Sequence, residues 1–127
     1  MLTKKDIRDM QDSVRGLATE LQKFAANYSK VPILQTKSAL VTKYDLIRGY
    51  MAQISKQRID FLNLNNNAMV YLCTQKINIF VKLTEIFSQP RLGKSDINEI
   101  ASLASSLSTL TLLEDVEARI ATLNIAA

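Results

Sequence analysis

Ile7, Met10, Val14, Leu17, Leu21, Phe24, Tyr28 and Val31 recur at alternating spacings of three and four residues. Only an α-helix brings such positions onto one stripe, and a stripe this narrow suits a coiled-coil-like seam against other helices. A chain that opens this way must find helical partners. The stretch predicts a first helix from about Thr3 to Ser29, with Thr3 as its cap and Asp6 in the first turn, where a carboxylate meets the positive end of the helix dipole. Ala18 and Ala25 flank the seam and permit close approach. Gly16 falls on the outer face, at a cost of about 1 kcal/mol relative to Ala. Val31-Pro32 ends the helix, because Pro disfavours helical geometry in the residue before it.

The same period continues. Leu40, Tyr44, Ile47, Met51, Ile54 and Phe61 repeat the heptad from about Thr36 to Leu62, with Arg58 in a seam slot. Val41, Leu46, Tyr50, Ile59 and Leu62 widen the apolar face, which implies more than one neighbour. Asn63-Leu64-Asn65-Asn66-Asn67 is the natural break, since Asn is a poor helix former and a good cap. The series Tyr44, Met51, Arg58 nevertheless stays in phase through Asn65 to Leu72, Ile79 and Ile86, so one long helix from 37 to 88 is an open alternative. The next helix, about Ala68 to Ser88, has two apolar seams: Val70, Cys73, Ile77, Phe80 and Phe87, and Met69, Leu72, Ile79, Leu83 and Ile86. Its predicted place is the most buried. Gln89 to Gly93 reads as a loop. The last helix is expected from Ser95 or Asp96, with a seam of Ile97, Ile100, Leu103, Leu107, Leu110, Leu113, Val116, Ile120 and Leu123. A Ser/Thr-rich stretch, Ser105 to Thr111, is expected to bend or break it.

With 127 residues, 3 Gly and 2 Pro, the chain has the length of one domain and too few turn signals for a β-sandwich or barrel. The expected fold is an all-α antiparallel bundle of three or four helices with coiled-coil-like packing, a single domain over 1–127. Hydrophobic residues at 47% and charged residues at 22% fit a globular chain rather than a disordered one. The charged N-terminus lacks the apolar core of a signal peptide. No apolar run approaches the roughly 20 residues of a membrane span, and the lone Cys73 can form no internal disulfide. These features lead to an expected cytoplasmic location. The match of Asn27-Tyr28-Ser29 to a glycosylation sequon lies on the first helix and carries little weight there.

Catalytic options are narrow. The absence of His removes Ser-His-Asp and Cys-His arrangements, Glu-x-x-His di-iron sites and His-ligated haem or zinc. One Cys makes no thiolate zinc site, and three scattered glycines make no phosphate-binding loop. No catalytic residue, cofactor or metal ligand is assigned. Cys73, between Val70 and Ile77, reads as a core cysteine. Arg58, with Gln75 and Lys76 as company, is the one place where a bundle could turn basic side chains inward toward an anionic ligand. A helix-turn-helix laid on Asp96 to Val116 fails: Thr111 and Glu114 fall where apolar residues belong, and the reading helix would be acidic.

Charge is uneven. Residues 1–94 hold 15 Lys/Arg against 7 Asp/Glu, a net of +8, and residues 95–127 hold 1 against 5, a net of −4. An acidic last helix beside a basic body satisfies that pattern; so does a surface for nucleic acid or an acidic membrane. The leading functional expectation is a non-enzymatic protein–protein interaction module: a small adaptor, chaperone or structural subunit that binds another protein or itself. Ile7, Val14 and Leu21 on the first helix, with Glu114 and Glu117 on the last, are its expected contact residues. The second expectation is polyanion binding through Lys30, Lys37, Lys43, Arg48, Lys56 and Arg58. The third is a small helical enzyme or sensor for an anionic ligand.

Overall fold

Each helix start is written in side-chain chemistry. The structure, a computed structural model, describes residues 2–122, with side chains described as far as Val116. The first helix, α1, spans Lys4–Asn27 and opens on a reciprocal box: Thr3 Oγ1 accepts from the Asp6 amide at 3.1 Å, and Asp6 Oδ2 accepts from the Thr3 amide at 3.0 Å. These bonds, the backbone one foremost, hold the Asp6 carboxyl below its ordinary pKa. Val31 is extended (φ −116°, ψ 101°), as a residue before proline should be, and a short 3-10 turn over Pro32–Gln35 follows. The Gln35 amide donates to the Tyr28 carbonyl at 2.8 Å and satisfies one of the carbonyls the helix end leaves open.

Thr36 caps α2, Lys37–Asn63, by accepting from the Ala39 amide at 3.2 Å. The asparagine run then breaks the chain into two helices and closes the long-helix alternative. Asn65 sits in the left-handed region at φ 57°, and Asn66 Oδ1 accepts from the Met69 amide to start α3, Asn67–Phe87. The continued heptad phase across the turn is not a sign of continuity; each helix of an antiparallel hairpin carries its own stripe. The last helix, α4, starts at Lys94 and runs to Thr122. Its entry is half a capping box: Asp96 Oδ2 accepts from the Gly93 amide at 2.8 Å, although Gly93 has no side chain to return the bond. The Ser/Thr stretch does not break α4. Thr109 and Thr111 instead donate back to the carbonyls of Ser105 and Ser108 on their own helix.

The four helices run up, down, up and down. Arg58 reaches Thr74 between α2 and α3, Lys76 reaches Glu114 between α3 and α4, and Arg15 reaches Asp115 between α1 and α4, all in antiparallel sense. The fold is thus the expected all-α antiparallel bundle, with four helices. Three sides of the bundle close by direct helix packing. The fourth, between α1 and α2, is wider. It is spanned by Gln57 donating to the Asp6 carbonyl at 3.0 Å and by the Lys43–Glu20 ion pair at 3.5 Å.

One core runs the length of the bundle. Helix α3 is its most buried member: Met69, Leu72, Cys73, Phe80, Leu83, Ile86 and Phe87 from both seams are all inside. Helix α2 buries fewer positions, Leu40, Ile47, Ile54 and Phe61, one per heptad. At one end Phe24 packs edge-on to Phe87, with ring centroids 5.4 Å apart. In α4 the expected seam is corrected. Ile100, Ala104, Leu107, Thr111 and Glu114 face the core, whereas Leu113 and Val116 are 57% and 59% exposed. Two stripes one residue apart both obey the three-four spacing. The one that wins has the small Ala104, which lets the helix approach, and Glu114, which meets a cation inside. Ile120 and Leu123 of the expected seam lie outside the described side chains.

Candidate functional site

The expected contact residues of α1 are not on the surface. Ile7, Val14 and Leu21 are buried, the last two completely. A strict heptad stripe is satisfied by the other helices of the same chain, chiefly α4, so these positions build the core and offer nothing to a partner of the folded bundle. Glu114 is corrected in the same way: it is 2% exposed and faces inward. The side chain of Glu117 lies outside the described residues.

The inward turn of Glu114 creates the one charged cluster of the interior among the described side chains. Its carboxylate accepts from Lys76 Nζ, and both side chains are 3% exposed. Buried charges must be paired, because each loses its hydration on folding. Lys76 comes from the centre of α3, one turn beyond Cys73, and Glu114 from the last third of α4. Neighbouring α4 contributes Thr111, also buried. Cys73 feels burial first and the Glu114 charge in the same direction, opposed by Lys76 and Arg58; the thiol is pushed up to about 11. Such a thiol stays protonated at neutral pH and is a poor nucleophile. Outside the pair, Arg15 bonds Asp115 and Asp12 and ties α1 to α4 at the surface. Gln11 is buried as well, and its Nε2 has no hydrogen-bond partner among the described residues. The cluster is sealed from solvent, so its chemistry is that of a register pin between α3 and α4 rather than of a site open to substrate.

Arg58 does not join this cluster as an open ligand site. Half-buried, it donates from Nε to Thr74 Oγ1 at 2.8 Å across the α2–α3 seam. The other basic residues do not converge. Lys43 pairs with Glu20, and Arg48 lies against Tyr44, bonding its hydroxyl at 3.1 Å with the guanidinium 5.7 Å from the ring centroid. Lys56 lines a groove of about 320 Å³ between α1 and α2 in the company of Asp6, Asp9 and Asp60. Lys30 and Lys37 are exposed near the opposite end of the bundle. Lys37 and Lys56 sit 19 residues apart on one helix, roughly 28 Å at about 1.5 Å per residue. A phosphate backbone would meet Asp45 between them and Asp60 just beyond Lys56.

A second groove, of about 520 Å³, lies at the far end between Ala25, Tyr28, Gln35, Leu92 and Ile97. Among the described residues no group of three or more His, Cys, Asp or Glu is placed to hold a metal ion, and no helix is long and apolar enough to cross a membrane.

The feature that stands out is on the outside. On α2 and α3, Ile59 and Leu62 are 56% and 45% exposed, and Val81 and Tyr71 are also open to solvent. On α4, Leu112 is 68% exposed, beside Leu113 and Val116. Surface leucines occur singly in many proteins; here Ile59 and Leu62 stand one turn apart on α2, and Leu112, Leu113 and Val116 stand within about one turn on α4. The widened face of α2 announced Ile59 and Leu62 in the sequence. The second was missed, because Leu113 and Val116 had been given to the seam. A signal was there to find it: residues 100–113 contain no charged residue at all, and the run is longer than the buried stripe of a helix requires. Comparison with protein-family models, with curated proteins and with solved structures finds no match to the chain.

Proposed function

We propose that the chain is a non-enzymatic protein–protein interaction module, a small helical adaptor or subunit that works by docking helices against its outer faces. One observation carries the reading: Ile59 and Leu62 on α2 and Leu112, Leu113 and Val116 on α4 are open to solvent, while the heptad residues fill the core. Clustered large apolar side chains on the outside of a folded bundle are unfavourable in water unless something covers them. The interior supports the reading by its closure. The only buried charges among the described side chains neutralise each other, and the one thiol is protonated.

The test uses charge on the two outer faces. Ile59→Glu with Leu62→Glu on one, and Leu112→Glu with Leu113→Glu on the other, should abolish association with co-purifying chains or with further copies, while circular dichroism and melting temperature stay close to those of the parent. Associations that survive both variants, or a parent chain that associates with nothing in its own cell extract and not with itself, would overturn the reading.

A further inference from the structure

We infer that the groove between the end of α1 and the start of α4 is a binding site for a small monoanionic carboxylic acid with an apolar body, set apart from the outer faces of α2 and α4. The groove holds about 520 Å³, within the roughly 300–1,000 Å³ usual for small-ligand sites. Three elements distant in sequence meet there: the C-terminal end of α1, the 3-10 turn over Pro32–Gln35 and the entry of α4. Ala25, Leu92 and Ile97 supply its apolar lining.

Tyr28 is the side chain that calls for a ligand. The residue is only 8% exposed, and its ring packs beside Phe24 with centroids 5.4 Å apart. A buried tyrosine ordinarily spends its hydroxyl on a hydrogen-bond partner. The Tyr28 hydroxyl has none among the described residues; it is not sealed in the core, as Gln11 Nε2 is, but opens where Tyr28 lines the groove. Next to it stands the entry of α4. Gly93 has no side chain with which to cap the helix, so the amides of Lys94, Ser95 and Asp96 keep no acceptor among the described residues. An open helix start favours an anion. Lys94 adds a full positive charge: it lines the groove and pairs with no carboxylate among the described residues.

Asp96 opposes this field and sets its limit. Its carboxylate lies outside the groove lining, with Oδ2 accepting from the Gly93 amide at 2.8 Å and Oδ1 from Gln89 Nε2 at 3.5 Å. One ammonium and one helix start, with a carboxylate close by, suit a single negative charge and disfavour a phosphate dianion. A bound carboxylate accepts from the Tyr28 hydroxyl and meets Lys94, while its hydrocarbon part covers Leu92, Ile97 and Ala25.

An NMR amide-shift titration of the full chain tests the site, with phenylacetate and isovalerate as probes and phenylacetamide and inorganic phosphate as comparisons. At least one of the two acids should give saturating shifts at Gly93 to Asn98 and at Gln35, with a Kd on the order of 1 mM. Phenylacetamide lacks the charge and phosphate lacks the apolar body, so each should bind at least tenfold more weakly. Lys94→Gln, at an exposed position, and Tyr28→Phe, which removes only the hydroxyl, should each weaken the acid about threefold or more. No saturating shift with either acid up to about 50 mM, shifts centred elsewhere on the bundle, or phenylacetamide or phosphate binding as tightly as the acid would overturn the site. So would a Kd indifferent to Lys94→Gln or to Tyr28→Phe.

Discussion

Lys76 and Glu114 show how much one residue's surroundings decide. Read along the chain, Lys76 interrupts an apolar helix and Glu114 belongs to an acidic one; folded, they are a buried pair. Removing one partner leaves an uncompensated charge, so Lys76→Met or Glu114→Gln should each lose about 3–5 kcal/mol of stability in urea unfolding. Replacing both, as Lys76→Met with Glu114→Leu, should recover most of that loss, because the desolvation of both charges disappears with their attraction. Cys73 gives a second expectation. Its thiol has an ordinary value of 9.0 and is raised to about 11 by burial, so the folded state holds the proton that the unfolded chain releases. The stability this contributes is full below pH 9 and declines as pH rises from 9 toward 11. Cys73→Ala should flatten that part of the pH–stability curve relative to the parent, and the native thiol should react with a disulfide reagent far more slowly than the thiol of the urea-unfolded chain.

At the scale of the helix, the punctuation was largely legible. Thr3 with Asp6, Thr36 and the asparagine run act in the structure as their chemistry suggests. Such signals are local: a side-chain oxygen two or three residues from an open amide caps it whatever the tertiary fold. Asn65 should therefore respond to backbone geometry alone. Asn65→Gly should be close to neutral and Asn65→Ala should cost about 1 kcal/mol, since its φ of 57° suits Gly or Asn. The two helical glycines are the converse case. A Cβ at Gly16 or Gly49 would meet nothing within 4 Å, so Gly16→Ala and Gly49→Ala should each raise the melting temperature, by up to about 1 kcal/mol of stability. The rotation of α4 was not legible. Ile100–Leu107–Glu114 and Leu103–Leu110–Val116 are both acceptable helical stripes, and periodicity alone gives no reason to prefer the one that buries a carboxylate.

Across the whole molecule the four sides of the bundle differ. Helix α3 is enclosed on two seams, α1 is held along α4, and the α1–α2 side is open enough for a groove crossed by Gln57. Amide exchange under native conditions should follow this order. Protection should be greatest in α3 around Leu72 to Leu83, which should open only with global unfolding, and lower in α2 between its buried positions. The candidate interaction face also belongs to this scale. Ile7, Val14 and Leu21 looked like contact residues because a strict heptad asks for a partner; only the assembled bundle shows that the partner is in the same chain. Leu113 and Val116 looked like seam, and are the surface.

The sequence by itself determined that the chain is helical, where α1 starts and stops, and which side of α1 and α2 seeks the core, while it left open whether 37–88 is one helix or two. Those features rest on period and on caps, and both act within a few residues. The tertiary structure alone decided which of two stripes α4 turns inward, that Lys76 and Glu114 share the interior, and which apolar residues are left facing water. Those outcomes depend on what stands opposite each helix. A helix has several faces of similar hydrophobicity, and the one that is buried is chosen by the volume and charge of residues 38 or 100 positions away, as Lys76 opposite Glu114 and Arg15 opposite Asp115 make plain.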